Sequence, residues 1–172
     1  MSRSQRPERG EVIDDYFTYI DRVGAGDIVE ILRGQEAEAL DELGGLSEER
    51  SRHRYAEGKW SIREVIGHLN DVERLFAFRA FWFARTPDVA LPSFDHERAA
   101  VESGAHDRPL ADHLAEFHAV RAATCTLFEG FSPAAWGRGG VASGNSFSVR
   151  GIAWIVAGHL THHLRLLREQ YR

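Results

Sequence analysis

Between Trp60 and Pro87 the chain carries both a start signal and a stop signal for one long helix. Ser61 and Glu64 form S-x-x-E, a capping box in which each side chain satisfies a backbone N–H of the other residue. Trp60 before the cap and Val65 after it are placed to form a hydrophobic staple. Downstream, the ring of Pro87 disfavours a helical residue before it, so the helix is expected to run to about Arg85 and stop at Thr86-Pro87. Val65, Val72 and Leu75 recur on one stripe of it, and such a stripe has to be covered by another element.

Three more helical segments supply the cover. The first is expected from about Glu11 to Leu43, broken near Gly24-Ala25-Gly26. Asp27 can cap its second part, Ile28, Ile31, Leu32, Ala39, Leu40 and Leu43 follow at roughly helical spacing, and Gly44-Gly45 ends it. Another opens near Pro109, a residue tolerated in a first helical turn, and runs to Gly130. The last starts at Ser148, a good N-cap, and continues to about Gln170. Strand signals are poor, because β-branched residues rarely alternate with polar ones. The second and third helices are joined by a linker of about 20 residues in which Asp95 to Ser103 can form a short helix. The third and fourth are joined by a glycine-rich stretch, FSPAAWGRGGVASGNS. The expected fold is therefore all-α, a four-helix bundle with long crossover connections rather than a simple up-down-up-down arrangement. It is expected to form a single domain over residues 11–172, preceded by a mobile polar arm over residues 1–10.

Composition narrows the function. The 172 residues carry a net charge of −5, with basic residues spread among acidic ones, so the basic footprint of a nucleic-acid partner is missing. No apolar run is long enough to span a membrane, and the polar start has no apolar segment of the kind a secretory signal needs. The one cysteine, Cys125, excludes an intrachain disulfide and fits a reducing, cytoplasmic setting. Predicted within a helix, it is expected in the core.

Nine histidines give the chain its chemistry. His159 and His163 are four apart on the last helix, on one stripe with Ile152, Ile155 and Leu166, and His68 shares the stripe of Val65, Val72 and Leu75. All three imidazoles are expected to point into the bundle. Imidazoles gathered in an apolar interior are costly unless something accepts their lone pairs, and a divalent metal ion does so. Two ligands at i and i+4 with a third from a facing helix span one coordination sphere, and three ligands leave a position open, as in catalytic sites. The H-x-x-x-H pair alone is a weak signal, and Leu160 stands where H-E-x-x-H has its glutamate. Three histidines hydrogen-bonded to one another in a metal-free bundle are the competing reading, and a metal- or ligand-binding bundle without turnover is another.

Other residues are less decided. Asp71, one turn past His68, can orient a metal ligand or be an ordinary exposed acid. Arg121, on the apolar stripe of the third helix, can reach a substrate carboxylate, pair with a core acid or extend to the surface. Asp95 and His96 lie in the linker that could close over the site, although a capping role fits them better. His162 shares a stripe with Arg165 and Glu169 and is expected at the surface. Trp60, Trp82, Trp136 and Trp154 fit core or interface positions, and GRGGVASGN lacks the G-K-[ST] of a P-loop.

The stretches YAEGKWSIREVIGHLNDVERLF (55–76), LPSFDHE (91–97), RPLADHLAEFHAVRAAT (108–124) and FSVRGIAWIVAGHLTHHL (147–164) together resemble the DinB-like superfamily. Its members are four-helix bundles often described as metal-dependent hydrolases. The resemblance implies one metal-binding histidine at His68 and two at His159 and His163, the three positions already reached from the helical stripes. It also implies thiol-dependent S-transfer or isomerisation as alternatives to hydrolysis, with a low-molecular-weight thiol as cosubstrate, and pairing of bundles as homodimers. The expected function is a metal-dependent enzyme acting on a small molecule, with Zn²⁺ or Ni²⁺ in the three-histidine site.

Overall fold

Three of the four long helices begin at the residue expected to cap them. In the computed structural model, which describes residues 3–171, Asp27 accepts from Val29 N and Glu30 N at the head of α2, Ile28–Gly44. The Ser61–Glu64 capping box opens α4, Ile62–Arg85, with Glu64 Oε2 accepting from Ser61 N at 2.6 Å. Ser148 Oγ accepts from Gly151 N at 2.9 Å at the start of α7, Val149–Gln170. Helix α6, Leu110–Glu129, begins after Pro109, which has no side-chain acceptor to offer. The free N–H of Leu110 donates instead to Glu48 Oε1 at 2.9 Å, from the single turn α3, Glu48–Ser51. The linker holds α5, His96–Glu102, capped by Asp95 as the sequence suggested.

Helices α2 and α4 each pack against both α6 and α7, so they stand diagonally across a four-helix bundle; the α2–α4 and α6–α7 connections cross it, while the linker joins the neighbours α4 and α6. The core falls into two apolar clusters. One gathers Ile28, Leu32, Phe83, Phe128, Trp136 and Trp154. The other gathers Ile66, Leu69, Phe117, Leu160, Leu164 and Leu167. Helix α7 runs through both, passing from Val156 in the first to Leu160 in the second. No helix among the described residues is long and apolar enough to cross a membrane.

The structure departs from the sequence reading in three places. Residues from Glu11 are not the start of a helix: Val12 bridges to Phe147, and Glu11 O accepts from Ser148 N at 2.9 Å. Among the described residues only a 3-10 turn, Asp14–Tyr16, and the single turn α1, Phe17–Ile20, precede α2. The glycine-rich connection is a hairpin, with β2, Gly139–Ala142, antiparallel to β3, Asn145–Ser148. Strand β1, Ala90–Leu91, from the linker lies parallel to β2. Gly140 admits this close packing, because a Cβ there would run into the Phe83 ring and the Val89 carbonyl. Finally, of the arm over 1–10, residues 1 and 2 lie outside the described residues, and the rest is tied to the bundle. Arg3 pairs with Asp27 at 3.0 Å, Arg6 donates to the Val23 carbonyl, and the Arg6 guanidinium stands 5.1 Å over the Trp154 ring.

Candidate metal centre

Position 159 sits where α7 passes from one apolar cluster to the other, and its imidazole meets two more there. His159 Nε2 lies 3.2 Å from His68 Nε2, across from α4, and 3.0 Å from His163 Nε2, one turn further along α7. One nitrogen from each of the three residues lies within 4.8 Å of the others, and all three side chains are buried. Burial pushes the pKa of His68 down to about 4, with a smaller push from His96. Burial likewise lowers His163 to about 3, helped by His68 and His162, and holds His159 well below its ordinary value. The three rings are thus neutral at neutral pH, the protonation state in which imidazole is a metal ligand.

Three neutral imidazoles cannot satisfy one another in this arrangement. Each ring nitrogen carries either a proton or a lone pair, not both. His159 Nε2 therefore has one proton or one lone pair to share between two neighbours, so the two compete for it and at most one well-aligned hydrogen bond forms. His163 Nδ1 is also buried without a partner. A cation that takes all three Nε2 lone pairs removes the conflict. Nitrogens bound to one ion at about 2.1 Å in a tetrahedron stand roughly 3.4 Å apart, close to the spacing seen. The donor set fits a divalent ion such as zinc or nickel.

The cluster opens onto a cleft of about 520 Å³. Trp60 forms one wall, its ring 4.8 Å from that of His68, and Tyr19 covers His159 with rings 5.5 Å apart. Gly158 makes room for Tyr19, since a Cβ there would run into the Tyr19 carbonyl. His96 at the start of α5 brings its ring within 5.9 Å of His68. His162, expected at the surface, is half-buried under Tyr19 and lines the cleft, because α1 lies over this part of α7. Phe76, Arg79 and Ser143 line the cleft too, and the sequence reading had not singled them out.

Two candidates fall elsewhere. Asp71 follows His68 by three residues, which turns it off the His68 face, whereas Val72, four residues on, faces the cleft. Asp71 lies instead in a separate groove with Arg108 and Glu116, 3.7 Å from Arg74. Arg121 is fully buried and takes the core-acid alternative. It donates to both carboxylate oxygens of Glu73, at 2.8 and 2.7 Å, and to the Leu32 carbonyl at 3.0 Å. Cys125 is buried away from the cleft, its thiol pKa pushed up by burial to about 11. Trp136 and Trp154 are core residues, while Trp82 is partly exposed.

The fold is similar to that of YfiT from Bacillus subtilis, described as a probable metal-dependent hydrolase with an unusual four-helix bundle topology. The two chains are 14% identical with a TM-score of 0.72, over 96% of this chain and 93% of that one. A mycothiol-dependent maleylpyruvate isomerase is similar at 11% identity and a TM-score of 0.67, over 84% of this chain and 61% of that one. No curated protein matches in sequence. The model of the DinB superfamily matches residues 31–167, a span that contains α4, α6 and all three clustered histidines. The chain belongs to the DinB superfamily.

Proposed function

We propose that the chain is a metal-dependent enzyme acting on a small molecule, with His68, His159 and His163 holding one divalent ion. The observation that carries the reading is the set of three converging Nε2 atoms, in which His159 has a single proton or lone pair to offer two neighbours. When bound, such an ion supplies Lewis acidity and lowers the pKa of a water or thiol it takes on. The chain's own residues hold the three ligand nitrogens neutral, shield them from water with Trp60 and Tyr19, and leave one side facing a cleft large enough for a small molecule. That opening favours an enzyme over a closed, purely structural site.

Thiol-dependent S-transfer is the reaction favoured here. A metal-dependent hydrolase of the H-E-x-x-H type uses a carboxylate beside the metal as general base. Among the described residues the metal-ligand cluster contains histidines only, and the one acid lining the cleft, Glu97, is exposed at its mouth. A thiol brings its own nucleophile and needs no such base. The thiol is a low-molecular-weight cosubstrate, since Cys125 is buried elsewhere. The names of the two similar structures, one a metal-dependent hydrolase and one a mycothiol-dependent isomerase, bracket the same two chemistries.

The test is a transfer assay on zinc- and nickel-loaded protein with a panel of bacterial thiols and an electrophilic acceptor, beside an ester-hydrolysis assay. Turnover that needs both metal and thiol, and is lost in His163→Ala, supports the reading. Thiol-independent hydrolysis would replace it with the hydrolase, and loaded protein inert in both assays would leave a binding protein.

A further inference from the structure

Four arginines are buried among the described residues. Arg63 pairs with Glu48, Arg121 with Glu73 and Arg150 with Glu11. Arg79 has no carboxylate, although only 4% of it is exposed. It donates to Ser143 Oγ at 3.0 Å and otherwise stands over the rings of Phe76 and Phe147, 5.4 and 5.7 Å from their centres. A guanidinium has five N–H donors in a rigid fork, and a buried charge with so few partners is costly. Arg79 nonetheless lines the cleft that the three histidines open onto.

Its place on α4 is regular. Eleven residues separate it from His68, three turns and roughly 16 Å of helix, so both lie on one face. His68, Val72, Leu75 and Arg79 line the cleft in that order: ligand nitrogen, two apolar side chains, cation. Ser143 gives a second, independent sign. It occupies the turn between β2 and β3 with φ of 53°, a left-handed conformation that a residue with a Cβ rarely adopts. Glycine or asparagine would sit there more comfortably, yet the serine places its hydroxyl on Arg79.

We propose that Arg79 and Ser143 form the anion end of the substrate cleft, and that its occupant is an elongated organic acid. The carboxylate lies on the Arg79 fork, the apolar body along Val72 and Leu75, and the reacting end against the histidines. One cation and one hydroxyl match a single negative charge; a phosphate, with nearly two charges and three acceptor oxygens, calls for more donors than stand here. This assignment rests on the cleft being the substrate site of the proposed enzyme.

The experiment uses the full chain loaded with zinc and two probes, octanohydroxamate and its analogue with a terminal carboxylate, titrated by calorimetry. The hydroxamate anchors each probe at the metal, so only the far end differs. The carboxylate analogue is expected to bind roughly tenfold or more tighter. Arg79→Gln is expected to erase that gain and leave octanohydroxamate affinity and zinc content unchanged. Equal affinities in the wild type, or a gain that survives Arg79→Gln, would overturn the assignment. Should that variant fail to fold, Arg79→Lys, which keeps charge without the fork, is expected to lose most of the gain, and a full gain there counts against it. If zinc is not retained at all, the metal reading fails separately. Octanoate against octanamide on the same protein then decides: a preference for octanoate that Arg79→Gln removes upholds the anion site, and no preference rejects it.

Discussion

At the scale of single residues, His159 and Arg121 show how differently two buried polar side chains can be accommodated. His159 has one proton or lone pair at Nε2 for two neighbouring imidazoles, whereas Arg121 is matched by Glu73 through two hydrogen bonds. His159→Phe keeps an aromatic ring in the core and removes the nitrogen conflict. It is expected to abolish metal uptake while leaving the protein at least as stable as metal-free wild type, read by thermal unfolding with and without zinc. Glu73→Leu strands a buried guanidinium and is expected to cost about 3–5 kcal/mol in urea unfolding, with much of the loss recovered in Glu73→Leu/Arg121→Met. All three clustered histidines could be found in the sequence because each lies on an apolar stripe of a well-marked helix. Arg79 lies on the same stripe as His68, one turn beyond Leu75, and extending that stripe would have found it. Tyr19 and Ser143 could not be found that way, because each reaches the cleft from a segment distant in sequence.

Among the elements, the long helices were legible because their ends are written in short-range chemistry: Asp27, Ser61 with Glu64, and Ser148 each cap the helix they precede. Ser61→Ala is expected to cost about 1 kcal/mol of stability, measurable by denaturant titration. The β2–β3 hairpin was hidden because its strands are short and two of its residues, Gly139 and Gly140, have no side chain to show alternation. Glycine there records close packing, of Gly139 against the Phe147 backbone and of Gly140 against Phe83, contacts that exist only in the folded chain. Gly158→Ala tests the same principle on α7. The added methyl runs into the Tyr19 carbonyl, so α1 must shift, at an expected cost of about 1–3 kcal/mol.

Taken as a whole, the molecule is held at its N-terminal side by Glu11, whose carboxylate accepts from Ser148 Oγ at 2.7 Å and pairs with Arg150. Burial alone would raise its pKa, but Arg150, the Glu8 N–H and Ser148 more than offset this and leave it below the ordinary 4.5. Its stabilising contribution is therefore complete above about pH 4.5 and is lost as pH falls through the lower folded value. Glu11→Gln is expected to flatten the acid side of the stability–pH curve, followed by circular dichroism. The packing of α4 against α7 is what brings His68 to His159 and His163. Elemental analysis of protein purified without a histidine tag, after incubation with zinc and desalting, tests that most directly. About one ion per chain in the wild type, and almost none in His68→Ala, is the expected result. No retained metal in the wild type, or the same amount in both, would contradict a metal centre at these three histidines.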